Sequence, residues 1–153
     1  MTLDPGTELS RGETDSLLGR HGTGVLSLAR DGEPYAVPVS YGYDADRRRF
    51  YLRLVSAPDS EKRRFLAAGP RARLVVYERD GPVYRSVVST GRLREIDRPD
   101  LTVEHVEQYG DTERPLFEIW AESRRDLDVR LYRLDTEEVS GRRVEIEGGE
   151  EPP

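Results

Sequence analysis

Between residues 35 and 43 every second side chain is bulky. Tyr35, Val37, Val39, Tyr41 and Tyr43 alternate with Ala36, Pro38, Ser40 and Gly42. A period of two places the first set on one face of a strand and the second on the other. One face is large and the other unusually small. Pro38 inside the run points to a sheet edge or a bulge. Upstream, Val25-Leu26-Ser27-Leu28-Ala29 reads as a partner strand. Asp31-Gly32 between the two runs is a two-residue hairpin signal.

The same pattern recurs downstream. Phe50-Tyr51-Leu52-Arg53-Leu54-Val55 predicts a third strand after an Asp/Arg turn. Residues 72–78 predict a fourth, and Asp80-Gly81 a second hairpin turn. Residues 83–96 predict a long fifth strand with a bulge or bend at Gly91. Residues 129–134 predict a last strand, leading to Val139-Ser140-Gly141-Arg142. Helical patterns occupy 12–20, with Leu17 and Leu18 inward, and a short stretch holding Lys62, Phe65 and Leu66 that ends at Gly69-Pro70. Residues 99–125 read as two helical pieces, with Leu116, Phe117 and Trp120 at helical spacing. Six hairpin-linked strands can close into a small barrel, which removes exposed edges. The expected fold is therefore mainly β, a six-stranded antiparallel barrel with peripheral helices. It occupies residues 12–143, between a flexible arm (1–11) and an acidic tail (144–153).

Composition narrows the chemistry. Charged residues match apolar ones at 35% each, and the net charge is −6. A nucleic-acid partner needs a basic surface, so none is expected. No apolar run approaches a membrane span and no signal peptide is visible, which sets the expectation of a cytoplasmic protein without a membrane partner. There is no cysteine, which excludes disulfides and thiolate metal sites. The two histidines, His21 and His105, lie far apart in sequence, so no metal site is expected. His21 reads as a helix-end residue.

Among 24 basic residues only one is lysine, Lys62. It follows Ser60 at the start of a helical stretch, where free backbone N–H groups and the helix dipole favour an anion. A hydroxyl and a compact ammonium there suit a phosphate. The alternative is a solvated helix face. The small face of the second strand has two readings as well. It lets a flat ring approach the backbone, or it accommodates a crossing strand at a barrel corner.

Four separated segments then resemble one family in order. Gly24-Val25-Leu26 with Asp31-Gly32-Glu33-Pro34-Tyr35-Ala36-Val37-Pro38-Val39-Ser40-Tyr41 is similar to the first hairpin of pyridoxamine-5′-phosphate-oxidase-like flavin-binding split barrels. Phe50-Tyr51-Leu52 followed by Lys62 and Leu66 continues the pattern. Tyr84-Arg85-Ser86-Val87-Val88-Ser89-Thr90-Gly91-Arg92-Leu93 and Val139-Ser140-Gly141-Arg142 complete it. The nitroimidazole-resistance-like branch is the subgroup it resembles most. The resemblance implies a split barrel, a homodimer with FMN at the subunit interface, and oxidoreduction of a small-molecule substrate. It implies that Val37, Pro38, Val39 and Ser40, with Leu52, line the flavin ring. It implies that Ser60 and Lys62 hold the phosphate, and that Arg85 and Ser86 approach from the long strand. Arg53 departs from the histidine common in that branch and is a second anion ligand on this reading. About two extra residues separate it from Lys62. A deazaflavin (F420)-dependent reductase and a haem- or flavin-storing or cofactor-free barrel are the alternatives.

Overall fold

The structure is a computed structural model that describes residues 6–56, 61–66, 69–96 and 128–146; for residues 55, 56, 61–63, 128 and 129 it describes the backbone alone. The helical pieces expected over 99–125 and the end of the tail lie outside these residues. The elements run β1 (Thr7–Glu8), α1 (Arg11–Arg20), β2 (Thr23–Arg30), β3 (Glu33–Asp44), β4 (Arg49–Ser56), α2 (Glu61–Leu66), β5 (Arg71–Asp80), β6 (Val83–Glu95) and β7 (Asp128–Glu145).

All strands pair antiparallel in one sheet, ordered β1-β7-β4-β3-β2-β5-β6. A further β6–β7 pairing closes six long strands into a ring. This is the expected barrel with one strand more. Thr7 and Glu8, in the segment expected as an arm, pair with Arg143 and Arg142. Strand β7 is a single run in which Arg49↔Asp135 through Ser56↔Asp128 bind β4, while its later residues bind β6 and β1.

Local chemistry explains the connections. Asp31 and Gly32 both have positive φ, 50° and 79°, as a primed hairpin turn requires. The second hairpin turns one residue later than Asp80-Gly81 predicts, at Gly81-Pro82, because Asp80 pairs with Val83. Gly81 takes positive φ at the first corner while the proline ring holds the second negative. The expected irregularity at Gly91 is a register shift between Thr90 and Gly91. A Cβ on Gly91 would lie 2.0 Å from the Asp135 carbonyl oxygen, so only glycine lets the two strands approach there. Arg49, Arg94 and Arg133 converge on the Asp135 carboxylate at 2.9, 3.3 and 3.3 Å and brace the same bend.

Helix α1 begins at a capping box: Ser10 Oγ accepts from the Glu13 N–H at 3.2 Å and the Ser10 N–H donates to Glu13 Oε1 at 3.1 Å. Leu17 and Leu18 are fully buried and close one end of the barrel. Phe65 and Leu66 of α2 bury against the β2–β3 hairpin side, where Phe65 stacks on Tyr35 with ring centroids 5.0 Å apart. The bulky face of β3 packs inward as the alternation predicts, with Tyr41 and Tyr43 on Phe50.

Candidate functional site

Two ladders of the ring span only four pairs each, β2–β5 and β3–β4, and the second is where the candidate residues lie. The ladder between β3 and β4 runs from Asp44↔Arg49 to Tyr41↔Leu52 and stops. The first residues beyond it are Ser40 on β3 and Arg53 on β4. Tyr41 and Leu52 point into the core, so Ser40 and Arg53 step to the outer face together. The strands part there as a fork. The Tyr41 N–H donates to the Gly22 carbonyl at 2.9 Å, across to the β2 side. By the alternation of an antiparallel ladder, Val39 and Val37 also direct their backbone groups to β2. Ala36, Pro38 and Ser40 direct theirs toward the fork. Pro38 thus sits where β2 would not use its N–H, which explains a proline inside a paired strand.

Two features make the fork a candidate binding site. The Ser40 side chain is 1% exposed, and its Oγ is buried with no hydrogen-bond partner among the described residues. Such a buried hydroxyl is costly to leave unpaired. Arg53 is half-buried and makes no ion pair among the described residues. An orphaned hydroxyl and an uncompensated guanidinium on one face suit a polar, anionic ligand. Beside them Ala36 and Pro38 are exposed and small, and leave the backbone open to a flat group.

The other residues singled out in the sequence divide. Val39 and Leu52 are buried in the core and Val37 faces inward, half-buried. Their side chains build the floor beneath the fork. Lys62 is the second residue of α2, and Ser60 lies outside the described residues. Strand β4 runs on to Ser56, and residues 57–60, between it and α2, lie outside the described residues. Ser86 lies on the outer face of β6, opposite Tyr77. It is three strands from Ser40, about 14 Å at ordinary strand spacing. Arg85 points to the other face, 3.6 Å from Glu78. Within one chain, then, Arg85 and Ser86 do not converge on the fork.

Arg85 belongs to a second polar cluster that sequence reading missed. A groove of about 460 Å³ between α1 and the β5–β6 hairpin is lined by Glu13, Ser16, Arg20, Glu78, Asp80 and Arg85. Glu78 binds Arg20, and His21 Nε2 lies 3.3 Å from the same oxygen. Burial alone would raise the Glu78 carboxyl; the hydrogen bonds from Arg20 and His21 outweigh it and hold it below the usual carboxylate range. His21 is the residue that ends α1, as expected. No pattern along the chain links it to Glu78, 57 positions away. Tyr41 and Tyr43 anchor α1 as well, donating to the Leu18 carbonyl at 2.9 Å and to Asp15 Oδ1 at 2.6 Å. Burial pushes both phenols up, and the Asp15 hydrogen bond adds to the shift of Tyr43. Among the described residues no group of three His, Asp or Glu side chains is placed to hold a metal.

Comparison with known proteins agrees with this geometry. The family model described as pyridoxamine 5′-phosphate oxidase matches residues 10–143. No curated protein matches significantly. A FAD-binding protein from Mesorhizobium loti is 28% identical, with 95% of this chain and 99% of that chain covered and a TM-score of 0.70. A candidate 5-nitroimidazole antibiotic resistance protein from Bacteroides thetaiotaomicron (14% identity, 94% and 90% covered, TM-score 0.64) shares the fold. So does a haem-binding protein from Mycobacterium smegmatis (18% identity, 87% and 54% covered, TM-score 0.59). The match over residues 10–143, together with the closed antiparallel ring and its fork, places the chain in the pyridoxamine 5′-phosphate oxidase family.

Proposed function

We propose that this protein is an FMN-binding homodimer that carries out flavin-dependent oxidoreduction on a small molecule. The observation that carries the reading is the β3–β4 fork, where, among the described residues, the buried Ser40 hydroxyl has no partner and the half-buried Arg53 makes no ion pair. These residues fit a flavin. Ala36 and Pro38 leave room for the ring against the backbone, Ser40 offers its hydroxyl to the ring's polar edge, and Arg53 offers a guanidinium to the phosphate. Lys62 and Ser60, at the start of α2, add to the phosphate site. When bound, the flavin supplies the electron and hydride transfer. The chain's part is to bind the ring, orient it and exclude water; it needs no general base. Ser86 enters the pocket from a second copy, since in one chain it is three strands away; Arg85, on the other face beside Glu78, does not follow it.

The relative from M. loti supports a flavin by its description as FAD-binding. For a haem, the histidine among the described residues, His21, is already engaged by Glu78 at 3.3 Å. The reading extends to a cytoplasmic protein with neither nucleic acid nor membrane as partner; no helix among the described residues is long and apolar enough to cross a membrane. The test is a visible spectrum of the purified protein, before and after incubation with FMN. A flavin spectrum retained through ultrafiltration is the expected result. A deazaflavin or haem spectrum would replace the cofactor assignment, and a colourless protein that retains no FMN would overturn it.

A further inference from the structure

The outer face of β3, β2, β5 and β6 has an unusual relief. Its central band is Pro38, Val25, Val75 and Val88, joined in register across the four strands. One row toward the end of that face come Ser40 and Thr23, paired with each other, then Tyr77 and Ser86, paired with each other. Thr23 is short and exposed and Ser40 beside it is buried, so this half of the row is low. Tyr77 stands out of the other half, 72% exposed, the one large apolar side chain so exposed among the described residues. A second row, Ala36, Ser27, Arg73 and Thr90, lies on the other side of the band and is small except at Arg73.

Two such faces can meet face to face only about a two-fold axis lying in the interface plane. An axis parallel to the strands, between β2 and β5, maps each row onto itself reversed. It sets β5 of one copy over β2 of the other, and β6 over β3. Tyr77 then rises over Thr23 and next to Ser40, and Ser86 comes over Ser40. The protruding ring meets the low half of the row, so the relief is self-complementary. Arg73 faces Ser27 and not its own copy, so no like charges meet. Thr23 and Tyr77 both lie within one strand spacing of the axis, where the angle between packed sheets displaces them little.

We infer that Tyr77 of a second copy of this chain forms a wall of the flavin pocket, over Thr23 and Ser40 across this axis. The inference rests on the flavin reading above and adds to it a residue, the axis and a direction of approach. A phenol beside a flavin ring donates an electron to the excited flavin and quenches its fluorescence, whereas a phenyl ring does not. The test compares wild type, Tyr77→Phe and Tyr77→Asp as full chains, with circular dichroism to confirm the fold. Wild type and Tyr77→Phe should scatter light as dimers and retain FMN equally through ultrafiltration. Bound FMN should be dim in wild type and several-fold brighter in Tyr77→Phe. Tyr77→Asp, with a charge at the joint, should sediment as a monomer and lose FMN. Equal brightness in wild type and Tyr77→Phe would overturn the inference, as would an FMN-bound monomer or a Tyr77→Asp dimer that retains FMN. A wild-type dimer that takes up no FMN, yet is split by Tyr77→Asp, would sink the flavin reading and the pocket while leaving the two-fold surface standing.

Discussion

Replacing Ser40 with alanine should have opposite effects on the empty protein and on the flavin complex. The hydroxyl is buried, with the residue 1% exposed, and has no partner among the described residues. Burying an unpaired hydroxyl costs about 1–3 kcal/mol by mutational measure. Removing the oxygen also removes a few van der Waals contacts worth about 0.1–0.2 kcal/mol each, together roughly 0.5 kcal/mol. The cofactor-free Ser40→Ala protein should therefore be more stable than wild type by about 1 kcal/mol, a rise in Tm of roughly 2–4 °C for a chain of this size. Binding should move the other way. A neutral hydrogen bond contributes about 0.5–1.5 kcal/mol, so FMN affinity should fall about two- to tenfold. The assay is a pair of thermal melts on stripped protein with an FMN titration of each variant. Ser89→Ala is the control. Ser89 is also fully buried, its hydroxyl without a partner among the described residues, but it faces the barrel interior beside Leu74 and Val139, away from the fork. It should raise the melting temperature and leave FMN affinity alone. A Ser40→Ala protein that melts lower than wild type and binds FMN as tightly would show that the hydroxyl serves the fold and not a ligand.

Three further outcomes are expected. Arg53→Ala should weaken FMN by roughly ten- to a hundredfold, the loss of a charge-assisted bond of about 1.5–3 kcal/mol, and leave riboflavin unchanged; Lys62→Ala should act in the same direction, and equal loss of both ligands in titrations would remove either residue from the phosphate site. Gly91→Ala puts a Cβ 2.0 Å from the Asp135 carbonyl oxygen, so it should destabilise by about 3 kcal/mol, lowering Tm by roughly 6–12 °C; an unchanged melt would show that the bulge relaxes freely. Tyr41→Phe leaves the Leu18 carbonyl without its 2.9 Å donor and should cost about 1–2 kcal/mol at pH 7. Because burial raises the Tyr41 phenol, its neutral form stabilises the fold fully below about pH 10, and that contribution is lost as pH rises above it. The gap in urea midpoint between wild type and Tyr41→Phe should narrow between pH 8 and pH 11, and a constant gap would contradict the burial argument.

Most of the barrel was legible along the chain because its signals are local. The period of two in Tyr35–Tyr43 reports a strand with one buried face, and the structure buries that face. Asp31-Gly32 carries its own turn geometry, and Gly91 announces the bulge because only glycine permits so close an approach. The second hairpin shifted by one residue because a strand pair can extend by a residue at little cost, and Pro82 then fixes the second corner. Strand β1 carried no signal, since two polar residues have no period; their pairing comes from β7. Pro38 could be read as an edge or bulge marker, but its reason is a matter of parity, on the side of β3 that β2 leaves unbonded. The candidate site was legible only in its ingredients. Ser40 and Arg53 are 13 positions apart, and nothing between them says that the ladder ends one step before they would pair. Glu78 gathers Arg20 and His21 from the end of α1 and Arg85 from β6, and Tyr77 looks like any strand tyrosine until its neighbours leave it uncovered. Periodicity and turn chemistry act within a few residues, so the sequence states them. Where a ladder stops, and which charge or hydroxyl is left without a partner, depends on how distant strands twist past one another as the ring closes, and that is settled only when the whole sheet is in place.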